Sequence, residues 1–335
     1  MPHLPKPPLI RVASLTSAWL AAVVAIIALA TPGPAAAAPP PWRGSSITVS
    51  NVVSLNTLDK SAEPTYNPYY GLQTTFAPRW WLNEQVYLRG SFSLSREFTE
   101  SDITTQADET VPSDVSLGVG AQLWHIPVVG IDTAAGFDVR LATSPYSQAQ
   151  TLRFALTPGV SLNRTFPEAA NLSLRYSLAF VRNFHDSTTG ELDAVPTLGC
   201  RSTDFTHCDT FRSTGVRNVR TRVSQGAEIA IEPWSWVSAS VGASLLYDYL
   251  YRPLTTADAT FESQDDQGTR TIVVSSMELA FTPLDVLTVA VSATASNAQR
   301  QANQENYALF INRNTELALD LRLDVAALTA PWMED

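Results

Sequence analysis

Residues 316–325 read ELALDLRLDV, with Leu317, Leu319, Leu321, Leu323 and Val325 at every second position and Glu316, Asp320, Arg322 and Asp324 between them. Successive side chains of a strand point to opposite faces, so this segment has one oily face and one ionic face. The pattern recurs along the chain. Val86, Leu88, Phe92, Leu94 and Phe98 alternate with Tyr87, Arg89, Ser91, Ser93 and Ser95, and Val115, Leu117, Val119 and Leu123 alternate with Asp114, Ser116, Gly118 and Gln122. Residues 131–142, 152–162, 172–180, 219–231 and 237–248 repeat it, and weaker runs lie at 46–57, 69–80, 268–282 and 286–297. No stretch with the helical period competes.

Twelve strands result, and an even count suits a closed antiparallel sheet. Ordinary strands average about five or six residues, whereas a tilted strand crossing a bilayer needs about nine to eleven. These segments belong to the second class. Their joins alternate as well. Long or acidic joins at 58–68, 99–112, 185–217, 253–267 and 298–314, with a brief one at 143–149, take turns with tight joins near 82–83, 125–130, 164–170, 233–235 and 283–285. Trp80, Trp81, Trp124, Trp234 and Trp236 stand beside the tight joins, and Tyr247, Tyr249, Tyr251, Tyr69, Tyr70, Phe98 and Phe184 toward the other ends. Two aromatic belts are the expectation where amphipathic rings meet headgroups. A soluble β-sandwich needs neither strands of this length nor paired belts.

On these grounds the chain resembles a bacterial outer-membrane β-barrel protein of the porin-like kind, and the likeness covers residues 46–328 by architecture. The resemblance implies an all-β, transmembrane, up-and-down barrel of about 12 strands, with short turns in the periplasm and long loops outside. It implies a place in the outer membrane of a Gram-negative cell, lipid and lipopolysaccharide as surroundings, and the barrel-assembly machinery as a partner. Members of the class typically end in a strand closing on a terminal aromatic. This chain ends ALTAPWMED, so Trp332 must substitute or the signal must lie within 317–325.

The first 38 residues form a separate unit, in which Lys6 and Arg11 precede an apolar run from Val12 to Ala30 and small residues follow at Ala35 to Ala38. A cleaved secretory signal peptide is expected; a retained membrane helix is the alternative, opposed by Pro32 and Pro34. Residues 39–45 then form a short lead-in, 46–328 the barrel, and 329–335 a tail. Removing Lys6 and Arg11 from the 22 basic residues leaves 20 against 32 acidic ones. An acidic chain disfavours nucleic acid as a partner.

Cys200 and Cys208 are the two cysteines, and in an exported protein they predict a disulfide closing a small loop. His207 adds a third possible ligand beside Cys208, but no second Cys pair or HxxxH spacing completes a metal site. Asp265 and Asp266 read as solvated loop charge. His125, His185 and His207 lack the serine motif with which twelve-stranded outer-membrane phospholipases work, so no enzyme and no cofactor is expected.

Charges facing lipid cost about 2–4 kcal/mol for Arg or Lys at mid-depth, so strand parity should turn them inward. Parity assigns to the lumen Arg89, Asp138, Arg140, Arg153, Arg175, Arg220, Arg222, Glu228, Asp248, Glu278, Asp320 and Arg322, together with Arg79, Asp114, Asp132, Glu232, Arg270, Glu316 and Asp324. Arg96 and Arg182 break parity near the strand tops, where they can reach lipopolysaccharide phosphates. The lumen charges nearly balance, unlike the single-sign rings of ion-selective pores. Gly118, Gly120, Gly136, Gly226 and Gly242 leave room inside. Two readings follow: a narrow passive channel for small polar solutes, or a closed structural or binding barrel whose 185–217 loop engages a surface partner.

Overall fold

The computed structural model describes residues 40–58, 68–99, 108–191, 213–252, 268–298 and 306–330. The signal-peptide segment, Cys200, His207, Cys208, Asp265, Asp266 and Trp332 lie outside the described residues, as does most of the 185–217 loop.

The alternating segments fold as strands in chain order. The first crossing is β1 (Ser46–Ser54). The second is β2 (Tyr70–Ala77) continued by β3 (Arg79–Trp81), interrupted at Pro78, which has no N–H to give to a ladder. β4 (Val86–Glu97) carries the short β5 (Thr110–Pro112) against its upper end. Then come β6 (Val115–Ile126), β7 (Ile131–Leu141), β8 (Leu152–Phe166) and β9 (Leu172–His185). A small hairpin of β10 (Thr189–Glu191) and β11 (Ser213–Arg217) stands off the barrel. The series ends with β12 (Val219–Trp234), β13 (Val237–Leu250), β14 (Thr269–Leu284), β15 (Leu287–Ala298) and β16 (Thr315–Asp324).

Each crossing pairs antiparallel with the next, and β16 closes on β1 from Ser46 opposite Asp324 to Ser54 opposite Glu316. Closure leaves no open sheet edge in lipid, the condition for a spanning β structure. The expected twelve-stranded, closed antiparallel barrel is what the chain forms. Among the described residues no helix is long and apolar enough to cross a membrane.

Following the ladder pairs once round the barrel returns to β1 displaced by about sixteen residues. Twelve strands with that stagger, spaced about 4.8 Å and rising about 3.3 Å per residue, tilt by about 43° and enclose a backbone radius of about 12–13 Å.

The oily face points outward. Leu117, Val160, Phe180, Ile229, Val291 and Leu319 are all exposed on the outer wall, as side chains in contact with acyl chains should be. At the tight-turn end Trp80, Trp124, Trp234 and Trp236 are exposed in a belt. At the other end Tyr70 packs on Phe98 and Phe154 stacks on Phe184, with Tyr249 exposed nearby.

Two aromatics depart from the belts. Trp81 turns inward at the tight-turn rim, against Tyr87 and beneath the Arg43 guanidinium, and its indole N–H donates to Arg43 O. Tyr251 leaves the strand and packs edge-on against His185 while donating its hydroxyl to Asn183 O. In both cases a local polar partner on the rim outcompetes the headgroup layer.

One stretch of outer wall is covered by the chain itself. Ser275, Asn297 and Thr315 face outward by register and are buried, because residues 306–314 fold down over them. Ser275 Oγ donates to Leu309 O, and Asn314 Nδ2 donates to Asn297 Oδ1 at 2.7 Å. Polar groups that would face hydrocarbon are thereby hydrogen-bonded, and Leu309 and Ile311 take their place on the surface.

After β16 the chain turns into a short helix, Val325–Thr329, capped by the Asp324 carboxylate accepting from Ala327 N. Asp324, read from parity as a lumen charge, therefore serves as a helix cap at the tight-turn end. Trp42 Nε1 donates to Thr329 Oγ1 and ties the two chain ends together there.

Candidate functional site

The lumen wall is the candidate site, and its charges are arranged in two tiers. Allowing for the stagger, Arg89, Asp138, Arg175, Glu228, Glu278, Asp320 and Arg322 lie at about one level near mid-height. Asp114, Arg140, Arg222, Asp248 and Arg270 lie nearer the mouth at the long-join end.

In the lower tier Arg89 and Asp138 form a two-pronged pair, Nε to Oδ1 at 2.7 Å and Nη2 to Oδ2 at 2.6 Å. They sit two strands apart with Gly118 between. A Cβ at Gly118 would overlap the Asp138 carboxylate, one at Gly120 the Tyr87 ring, and one at Gly136 would lie 2.6 Å from Arg89 Nη2. The three glycines, expected to leave an open passage, are filled by Tyr87, Arg89 and Asp138 laid flat across them. Their smallness lets long side chains hug the wall. Arg322 likewise pairs with Glu278 and with Asp320, over Ala280 and Ala290, which are buried beneath.

Arg175 and Glu228 behave differently. They stand directly opposite each other on β9 and β12, both exposed, and form no ion pair with the described residues. Around them the wall is small. Ser161, Ser177, Gly226 and Ser244 form one ladder row, and Asn163, Arg175, Glu228, Gly242 and Ser276 form the next. The bulk is therefore unevenly spread: long ion pairs line β4–β7 and β14–β16, and small residues line β8–β13.

In the upper tier Asp248 is fully buried between two guanidinium groups, Arg222 and Arg270. Arg140 Nη2 donates to Asn183 Oδ1 at 3.2 Å, and its Nε lies 3.7 Å from Asp114. Asp114 does not turn fully to Arg140 because it also accepts from Ser144 N and Ser147 Oγ, which pins the helix Pro145–Ala149 to the mouth. His185, expected in the long loop, is the last residue of β9; its Nδ1 is 2.7 Å from Gln150 O, which also accepts from Asn218 Nδ2.

Arg153 and Arg220 are displaced from the lumen series. Each falls on a β-bulge at a strand top, between Leu152 and Phe154 and between Val219 and Thr221. An extra residue reverses parity above the bulge. Arg153 is consequently an exposed rim residue paired with Asp186, and Arg220 is exposed at the mouth. Bulges carry no marker in the alternation itself, so parity alone could not place either residue. An apolar inner stretch, Leu246, Ile272 and Val274, shares the parity of Asp248 and Arg270, and register turns it inward above the small-residue rows.

At the opposite end His125 Nδ1 lies 2.7 Å from the Asp132 carboxylate, both exposed. Among the described residues no serine or threonine hydroxyl bonds to that imidazole, and no group of three or more His, Cys, Asp or Glu is placed to hold a metal ion.

No protein-family model matches the chain, and neither does any curated protein sequence. Among solved structures, an outer membrane channel from Pseudomonas putida F1 is similar at 13% identity and a TM-score of 0.51, over 88% of this chain and 98% of that one. The NanC porin (8% identity, TM-score 0.44, 84% and 98% covered) and the KdgM porin (9%, 0.41, 83% and 98%) are more distant. At such identities the likeness establishes the fold. With its closed sheet and sorted faces, the chain has the fold of a twelve-stranded outer-membrane β-barrel.

Proposed function

We propose that the barrel is a narrow passive channel for small polar solutes. The observation that carries this reading is the uneven lumen. Most lumen charges are folded against the wall in pairs, while Arg175 and Glu228 project beside two rows of Ser and Gly. At mid-height, a passage along β8–β13 would meet hydroxyls, one guanidinium and one carboxylate, which suits a polar solute better than a single inorganic ion. Lipopolysaccharide beside Arg96 and Arg182, delivery by a cleaved signal peptide, and insertion by the barrel-assembly machinery belong to the same reading.

Single-channel recording in planar bilayers tests it. Small conductance steps that change size in Arg175→Ala support the channel. A second reading, a closed barrel that binds a surface partner through its loops, draws on the mouth, where Gln150, His185, Asn218 and Tyr251 knit residues 150–151, 185–188 and 218 together. Electrical silence from correctly folded protein would favour that second reading and end the first.

A further inference from the structure

Arg222 and Arg270 share a single carboxylate. Arg222 reaches Asp248 through Nε to Oδ1 at 2.5 Å and Nη2 to Oδ2 at 3.0 Å; Arg270 reaches Oδ2 through Nη2 at 2.9 Å and Nε at 3.3 Å. Asp248 thus accepts four N–H bonds, about as many as a carboxylate takes, one at Oδ1 and three at Oδ2. The side chain of Asp248 has no exposed surface, whereas those of Arg222 and Arg270 are 33% and 45% exposed. Each guanidinium offers five N–H donors in a fixed fork, and the Nη1 groups of both remain unspent among the described residues.

Among the described residues, two positive charges against one negative charge leave one positive charge uncompensated on this part of the inner wall. The next inward acids on these strands stand well below, Glu228 on β12 and Glu278 on β14. Directly beneath the guanidinium pair, Leu246 and Ile272 face each other across β13 and β14, with Val274 following. The wall thus offers forked donors with surplus positive charge above and hydrocarbon below.

We infer that Arg222 and Arg270 form a binding site in the extracellular vestibule for the carboxylate of a small organic acid, whose apolar body lies along Leu246, Ile272 and Val274. Asp248 holds both guanidinium planes facing the lumen and reduces their charge enough for the ligand to leave again. The consequence for ion preference rests on the channel reading above; the binding does not.

The test uses two variants with opposite expected effects, both checked for folding by heat-modifiable migration in gels. In bilayers under a potassium chloride gradient, Arg270→Gln should move the reversal potential toward cation preference and Asp248→Asn toward stronger anion preference. Unequal opposite shifts sustain the site; reversal potentials unchanged in both variants overturn it. Binding is read separately by titrating hexanoate and acetate into detergent-solubilised barrel. Hexanoate should bind more tightly than acetate, and Arg270→Gln should weaken hexanoate roughly tenfold, the worth of a charged hydrogen bond. Equal hexanoate affinity in wild type and Arg270→Gln would refute the inference even for a non-conducting barrel. Should Asp248→Asn fail to fold, Arg222→Gln replaces it and must reproduce the Arg270→Gln loss.

Discussion

Arg89 reaches Asp138 by crossing Gly118, the residue that stands between them on the intervening strand and has no side chain to bar the way. A glycine in the middle of a strand ordinarily weakens it. Here it makes room for a two-pronged ion pair that spans three strands and narrows the lumen from the wall inward.

Gly118→Leu should therefore destabilise the barrel, since even its Cβ would collide with the Asp138 carboxylate and come within 2.6 Å of Phe137 O. Overpacking of this kind costs about 1–3 kcal/mol. A lowered urea midpoint, followed by tryptophan fluorescence in detergent, checks it.

Removing both partners of that pair is expected to widen the passage instead. Arg89→Ala/Asp138→Ala leaves no lone charge, so the barrel should still fold, and its unit conductance should exceed that of wild type. An unchanged or smaller conductance would show that this pair does not narrow the passage.

Leu319 and Ser292 test the two faces at a similar depth. Leu319 is exposed on the lipid side, and an arginine there should cost about 2–4 kcal/mol. Ser292 faces inward opposite Glu278, so Ser292→Arg should fold without comparable loss. Unfolding free energies measured in the same bilayer decide; equal penalties would contradict the assigned faces.

Arg153 is joined to Asp186 at the rim, where both side chains are more than half exposed, at 69% and 57%. Exposed pairs contribute little because water and salt screen them. Arg153→Ala should leave the melting temperature unchanged, in contrast to Arg322→Ala, which strips Glu278 of its guanidinium partner and should lower it.

Asp324→Ala removes the cap of the terminal helix, whose carboxylate accepts from Ala327 N at 2.9 Å. Loss of such a cap costs about 0.5–2 kcal/mol of helix stability. Faster proteolytic trimming of the C-terminus, with the barrel intact, is the expected result.

The alternation of ELALDLRLDV and its counterparts determined most of the architecture. Period-two sorting over bilayer-length segments leaves a chain few choices besides a barrel with its oily face in lipid, and alternating join lengths orient it. Those signals are local, so they were legible residue by residue. Which charges meet was not local. Stagger brings Arg322 to Glu278 two strands away, and the missing side chain at Gly118 lets Arg89 reach Asp138. Bulges at Arg153 and Arg220 turn two lumen candidates out to the rim, and one carboxylate, Asp248, serves two arginines from neighbouring strands. Sequence decided which side of the wall each residue of a regular strand would face, because backbone geometry imposes that alternation by itself. Only the closed cylinder decided which residues became neighbours, because register and tilt are properties of paired strands and not of any one of them.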